Sequence, residues 1–283
     1  MNKIVGVVTV YYPDIVEVAS NINTYLPALD CLIIWENTPA SDSRINDLIA
    51  LLTDKIKIKI KGTGANEGLA KPFNDCIRWA DSQGYDFLLT MDQDSAFSGI
   101  SATDYLQRIV DDKEDRIAVY SPDRENRISV YGASFREVGT AITSGAVYPL
   151  RIFNQLGYFR EDFFIYMVDI EFCLRARSAG YCIVSLPNVC FSHREGYAER
   201  SKPGFVVNHY PAQSTYYIIR NTILCWKLFP KDFPWLKRLH FIRYKIAYRT
   251  VKLIFEIDKL RKLKAIYIGL WHGIIRKSGY YKI

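Results

Sequence analysis

Short β-rich runs alternate with helix-period segments through the first half of this chain, and that alternation limits the fold more than any single residue does. Candidate strands are Lys3–Val10, Cys31–Glu36, Lys55–Ile60, Asp86–Met91 and Arg116–Tyr120. Between them, Ile15–Leu26, Asp42–Leu52, Leu69–Ser82 and Thr103–Val110 carry apolar residues at helical spacing. Such alternation predicts a mainly parallel, Rossmann-like sheet with helices on both faces, an α/β fold. Ligands of these sheets bind outside the carboxyl ends of the strands, where Thr9, Glu36 and Asp92 all emerge.

The second half is more mixed. A hairpin is expected over Ile128–Ile142, a helix from about Asp169 to Ala179 closed by Gly180, and short strands at Tyr181–Ser185 and Val189–Phe191. From Pro211 onward the pattern is helical. Charge marks the same division. Residues 231–283 hold 14 Lys+Arg against 3 Asp+Glu, a net of +11, which leaves the remainder at −4. A basic tail of this kind seeks an anionic surface, phospholipid or nucleic acid. The expected organisation is one domain over 1–222, the extent that the family resemblance described below implies, and a basic amphipathic helical region over 223–283, either membrane-bound or packed on the core.

No run of about 18 uninterrupted apolar residues is present, so a spanning helix is not expected. No secretory signal opens the sequence. The six cysteines show no CxxC spacing and lie mostly in apolar segments, which suits core filler in a reduced cytoplasm better than a zinc site.

Candidate chemistry starts at Asp92-Gln93-Asp94, directly after the apolar run Tyr85–Met91. Acids two apart on extended backbone point to the same side. Paired hard oxygen ligands there suit Mg²⁺ or Mn²⁺, above all a metal that also holds phosphates. Acid-x-acid triplets are also common in polar turns. Gly62-Thr63-Gly64-Ala65-Asn66-Glu67-Gly68 follows the third strand, and its glycines allow close backbone approach to a ligand, although a plain loop reads the same way. Asp169 opens a helix, where an acid complements the dipole or, partly desolvated, accepts a proton. Glu171 and Arg175 are spaced to pair on that helix. His193 ends an apolar run; a structural histidine is the ordinary reading, and a metal ligand beside Asp94 the functional one.

Taken together, Val7–Tyr12, Ile33–Thr38, Asn66–Asn74, Leu88–Ser95, Thr143–Gly145, Gly157–Tyr181, His193 and Arg220-Asn221 resemble the family 2 glycosyltransferases of the GT-A fold, especially the rhamnosyltransferase-like branch. The resemblance covers about residues 3–222. It implies that Asp94 and His193 ligate the metal, with Asp92 beside them nearer the ribose. It implies Asp169 as general base, and Thr9, Glu36, Asn66 and Lys71 as residues that hold the nucleotide. Arg220 would lie near the diphosphate or the acceptor. Glu36 stands where Asp is commoner, and Tyr166 where rhamnosyltransferase-like relatives carry an acid; galactofuranosyltransferases tolerate a non-acid there.

The activity this implies is inverting, Mn²⁺- or Mg²⁺-dependent transfer of a rhamnose-like sugar. The donor would be a dTDP- or UDP-linked sugar, and the acceptor a hydroxyl of a lipid-linked or growing cell-surface glycan. The expected place is cytoplasmic, peripheral on the inner face of a bacterial plasma membrane, with anionic lipid and not nucleic acid as partner. UDP-galactofuranose transfer is the near alternative. A nucleotidyltransferase would want a glycine-rich start with a basic residue after strand one, where Tyr12-Pro13-Asp14 stands instead. A nucleic-acid-binding protein would explain the tail and leave the acids unexplained.

Overall fold

The computed structural model describes residues 2–98, 102–123, 135–193, 198–200, 206–208, 211–253 and 256–283; side chains at 190, 193, 198–200, 206–208 and 252 lie outside the description. The chain divides into two compact units, residues 1–159 with 172–193, and residues 160–171 with 194–283.

In chain order the first unit runs through β1 (Ile4–Val10), α1 (Ile15–Asn23), β2 (Cys31–Glu36), α2 (Ile45–Ala50), β3 (Ile58–Gly62), α3 (Ala70–Ser82), β4 (Phe87–Asp92), β5 (Ser95–Ser98) and α4 (Ala102–Asp111). It continues with β6 (Ile117–Pro122), β7 (Arg136–Glu137), β8 (Ala146–Pro149), α5 (Arg151–Leu156), most of α6 (Val168–Ser178), β9 (Cys182–Leu186) and β10 (Cys190–His193). Its main sheet has the order β3-β2-β1-β4-β8-β6-β9-β7. Strands β1 to β4 are parallel, and so are β6 and β9. β8 runs antiparallel between β4 and β6, and β7 runs antiparallel to β9. A mainly parallel sheet was the expectation.

Burial follows from this order. All seven residues of β1 are buried, as a central parallel strand covered on both faces requires. β3 is mostly exposed at the sheet's edge, and two of its residues, Lys59 and Lys61, sit over the Trp79 ring at 5.4 and 5.0 Å. Edge cations of this kind discourage pairing with a foreign strand. Asp14 caps α1 by accepting from the Val16 and Glu17 N–H groups, while Ile15, Val18, Ala19 and Ile22 form its inward stripe.

Two boundaries differ from expectation. Lys55–Lys57 forms a 3₁₀ turn, and the third strand starts at Ile58. Of the expected hairpin, residues 128–134 lie outside the described residues, and Arg136–Glu137 pairs with β9. Arg175 donates to the Leu156, Gly157 and Tyr158 carbonyls. Among the described cysteines all are free thiols: Cys31, Cys76, Cys173 and Cys225 are buried and Cys182 is half-buried.

The second unit contains the start of α6, the antiparallel pair β11 (Ala198–Arg200) and β12 (Val206–Asn208), α7 (Ala212–Leu228), α8 (Trp235–Phe241), α9 (Tyr248–Lys252) and α10 (Lys259–Ile274). A π-helical stretch, Ile242–Ala247, joins α8 to α9. Residue 222, where the family resemblance placed the end of the first domain, falls inside α7. α10 lies closely against α7 through Gly269 and Gly273, whose missing Cβ atoms would come 2.9 Å from the Tyr216 oxygen and 2.8 Å from Ile223 Cβ. Ile219, Ile223, Leu253 and Ile266 form the apolar centre of this packing. Within it, Lys262 and Glu256 pair at 2.6 Å, both nearly inaccessible. Among the described residues no helix is long and apolar enough to cross a membrane.

Gly145 is a backbone position with little room for a side chain. Its φ of +77° favours glycine, and a Cβ there would lie 2.9 Å from Pro122 Cγ and 3.0 Å from Phe191 Cε2. Gly145→Ala should therefore cost about 1–3 kcal/mol. A urea titration should show a lowered midpoint, while an alanine at Gly84, whose Cβ would meet nothing within 4 Å, should show a smaller loss.

Candidate active site

The site begins where β1, β2 and β4 end together. Thr9 is paired in register with Trp35 on one side and Asp92 on the other, and Val10 with Glu36. Thr9, Glu36 and Asp92 thus line one carboxyl edge, as the strand pattern predicted. Strand ends leave backbone groups unpaired, and polar side chains occupy them here. Gln93 Oε1 accepts from Tyr11 N–H at 2.8 Å, and its Nε2 donates to the Tyr11 carbonyl at 3.3 Å. Thr38 Oγ1 accepts from Tyr12 N–H, and buried Asn37 bonds both Gly68 O and Glu67 N–H.

The acid turn is held from below by two buried serines. Asp92 N–H donates to Ser144 Oγ at 3.3 Å, Ser144 Oγ donates to Ser95 Oγ at 2.6 Å, and Ser95 Oγ donates toward Asp94 Oδ1 at 3.4 Å. Both serines have 0% exposure, so the chain is shielded from water. It joins the backbone of the first acid to the carboxylate of the second. Sequence reasoning assigned no role to Ser95, Ser144 or Gln93; a buried serine has no periodic signature, and its partner is distant along the chain.

Strand β10 runs antiparallel to β5, with His193 opposite Ser95. Directly opposed residues in such a pair have Cα atoms about 4.5–5.5 Å apart. The backbone of His193 therefore sits across from the neighbour of Asp94, although its side chain lies outside the described residues. Among the described side chains no three His, Cys, Asp or Glu residues gather as a metal cluster. The donor set fits a hard divalent cation nonetheless: two carboxylates at a strand end, one of them braced by a hydroxyl.

Two clefts lie among the strand ends of this sheet. An open cleft of about 380 Å³ is lined by Glu36, Thr38, Ser43, Lys61, Gly62 and Gly64. A cavity of about 190 Å³ is lined by Pro122, Asp123, Arg136, Thr140, Ser144 and Ser185. Asn66 is exposed, and its side-chain oxygen accepts from Gly68 N–H, which shapes the glycine loop. Lys71 lies between Asp75 at 2.6 Å and Glu67 at 3.4 Å, 5.8 Å from the Trp35 ring. Asp75, ahead of Glu67, holds its ammonium charged above the ordinary lysine range.

The second unit carries Asp169 and Arg220. Asp169 is half-buried in the first turn of α6, and its Oδ1 accepts from Ile170 N–H at 2.8 Å. Glu171 is buried nearby, and burial, then the Glu171 and Asp169 charges, push the Cys225 thiol far above its usual range. The turn leading into this helix is strained. Phe164, Tyr166 and Met167 all have left-handed φ, at 66°, 63° and 62°. Each such non-glycine residue costs of order 1–3 kcal/mol and persists only where its surroundings hold it.

Arg220 and Asn221 do the holding. Asn221 Nδ2 donates to the carbonyls of Phe163, Ile165 and Tyr166 at 3.0, 2.8 and 2.8 Å. Arg220 donates to the Asp162 and Phe163 carbonyls, both at 3.1 Å, and to Gly279 O, Tyr216 Oη and Asn221 Oδ1. The guanidinium has 0% exposure, and these bonds use all three of its nitrogens. The sequence reading set Arg220 beside a diphosphate or an acceptor; in the structure its bonds go to the 162–166 turn and the C-terminal segment, because a buried guanidinium must satisfy its donors within the fold. Asn221→Ala should take the side-chain donor from the Ile165 and Tyr166 carbonyls, Phe163 O keeping that of Arg220, and cost about 1–3 kcal/mol. The expected result is a lower urea midpoint, with a smaller loss for Asn221→His, which retains a donor.

No family model matches the chain. The dTDP-rhamnosyl transferase RfbF of Shigella flexneri is 23% identical over 295 residues, a match that takes in 96% of this chain and 96% of that protein. Among solved structures, the mannosyltransferase PcManGT from Pyrobaculum calidifontis, in complex with GDP-Man and Mn²⁺, aligns with a TM-score of 0.55 and 13% identity, covering 96% of this chain and 75% of the other. S. aureus TarS in complex with UDP-GlcNAc aligns at 0.50 and 15% identity, over 99% and 93%. The fold is that of the GT-A glycosyltransferases, and over its full length the chain is similar to a dTDP-rhamnosyl transferase.

Proposed function

We propose that this protein transfers a rhamnose-like sugar, with inversion, from a dTDP- or UDP-linked donor to a hydroxyl of a lipid-linked or growing cell-surface glycan at the cytoplasmic face of a membrane. The observation that carries the reading is the convergence on one sheet edge: Thr9 in register with Asp92, and His193 opposite the neighbour of Asp94. The likeness to a dTDP-rhamnosyl transferase supports the donor class.

The two clefts support a layout. The 380 Å³ cleft at Glu36 suits the nucleoside, with Thr9 and Asp92 toward the ribose, and Asn66 shaping the loop beside it. Lys71, already between two carboxylates, contributes positive charge to the same side. The 190 Å³ cavity beyond Ser144 is large enough for one sugar ring. Asp94, His193 and Asp92 would hold Mn²⁺ or Mg²⁺, which supplies neutralisation of the negative charge that develops on a departing diphosphate. Asp169 takes the proton from the acceptor hydroxyl as its oxygen attacks the anomeric carbon and the bond to the diphosphate breaks. Attack from the face opposite the leaving group inverts the centre. Arg220 and Asn221 act on this chemistry through the turn they hold.

Purified protein screened against a panel of nucleotide sugars tests the reading. Release of dTDP from dTDP-rhamnose is the expected result; UDP release from UDP-galactofuranose alone would select the alternative that Tyr166, in place of an acid, leaves open. Asp169→Asn should keep donor binding and lower kcat by about 10²–10⁴-fold. Wild-type turnover in that variant removes Asp169 as the base. Asp94→Ala should lose the Mn²⁺-dependent part of donor binding in calorimetry.

A further inference from the structure

The second unit turns two apolar stripes outward. On α10, Leu260, Lys264, Tyr267, Trp271 and Ile274 recur at helical spacing on one face. Leu260 is 82% exposed, Tyr267 63%, Trp271 60% and Ile274 58%. The opposite face of the same helix, with Ala265, Ile266, Gly269 and Gly273, is buried. α10 is thus apolar on two sides, and packing inside the unit uses only one. On α8 and the turn after it, Trp235, Leu236, Leu239 and Ile242 form a second exposed stripe. Soluble surfaces seldom array large aromatic and aliphatic side chains in this way without a partner.

Charge identifies the partner. α10 contains Lys259, Arg261, Lys262 and Lys264 and no acid, and Arg276 and Lys277 follow it. Lys262 is spent on buried Glu256, while Lys259, Arg261, Lys264, Arg276 and Lys277 are exposed. Lys237 and Arg243, both exposed, accompany the α8 stripe. A second copy of this face would bring like charges together. Nucleic acid would meet the cations but offer nothing to Leu260, Ile274, Leu236 or Leu239. An anionic lipid surface satisfies both: headgroups for the Lys and Arg side chains, the acyl boundary for the aliphatic ones, and the interface between them for Trp and Tyr.

We propose that the exposed stripe of α10, with that of α8, seats this unit in the headgroup region of an anionic membrane without crossing it. The inference needs only the second unit, and it stands or falls apart from the catalytic reading, because its test involves no turnover.

Flotation of the full-length protein with vesicles of phosphatidylcholine, and of equal parts phosphatidylcholine and phosphatidylglycerol, is the experiment. Binding to the mixed vesicles alone, weakened by salt, is expected. The variant Leu260→Ser/Trp271→Ser should lower that binding at least tenfold and leave the thermal midpoint and donor binding unchanged. Lys264→Glu, a single exposed change that keeps the apolar stripe, should lower it severalfold. Equal binding to both vesicles, no binding to either, or unchanged binding by both variants overturns the proposal. So does a sedimentation result in which the protein self-associates through this face and the double variant is monomeric. A salt-sensitive DNA shift abolished by Lys264→Glu, without vesicle binding, overturns it in favour of nucleic acid.

Discussion

Gln93 stands between the two acids and spends its amide on the backbone of Tyr11, accepting from the N–H and donating to the carbonyl. Asp92 and Asp94 would otherwise be adjacent acids at a strand end with backbone groups exposed to competing water. Gln93 fastens the turn to the end of β1, and Ser144 and Ser95 brace it from beneath, so the turn that carries the carboxylates is fixed within the fold. Preorganised charge is worth more than charge that must be gathered during the reaction. Ser144 also lines the cavity beside Pro122 and Ser185, so the brace under the turn and the wall of that cavity share one side chain.

The same physical solution recurs in the second unit with different atoms. Three left-handed residues precede α6, and no glycine is present among them to relieve the strain. A buried Arg-Asn pair takes up the carbonyls of that turn instead. Arginine suits the task because its fixed fork can meet several carbonyls at once, and its charge, stacked over Tyr216 and Tyr217 at 5.2 and 4.7 Å, is compensated by ring faces. In both units the candidate acids lie beside a turn, and buried polar side chains from elsewhere in the chain set that turn's shape.

Much of this could be read before any coordinates. Short apolar runs placed four of the five expected strands within a residue or two of β1, β2, β4 and β6, because parallel strands buried on both faces need continuous apolar sequence, while the short β5 was not expected. The 55–57 segment misled because an edge strand with Lys59 and Lys61 facing outward has little apolar pattern to mark its start. Asp92 and Asp94 were visible because they interrupt an apolar run. Arg220 was visible as a motif residue, but its role was not: whether a guanidinium faces a ligand or its own backbone depends on which carbonyls surround it, and Asp162, Phe163 and Gly279 are some 57 to 59 residues away.

The amino-acid order by itself determined the α/β class, the edge on which the strand-end acids emerge and the excess of cations in the last fifth of the chain. Each of these follows from local periodicity or from counting, which need no knowledge of distant contacts. Tertiary structure decided the rest: that His193 faces Ser95, that two serines link the acids, that Gly269 and Gly273 let α10 sit on α7 and so turn Trp271 and Leu260 outward. Those outcomes depend on register and close packing between segments far apart in sequence, and neither is encoded in any one segment alone.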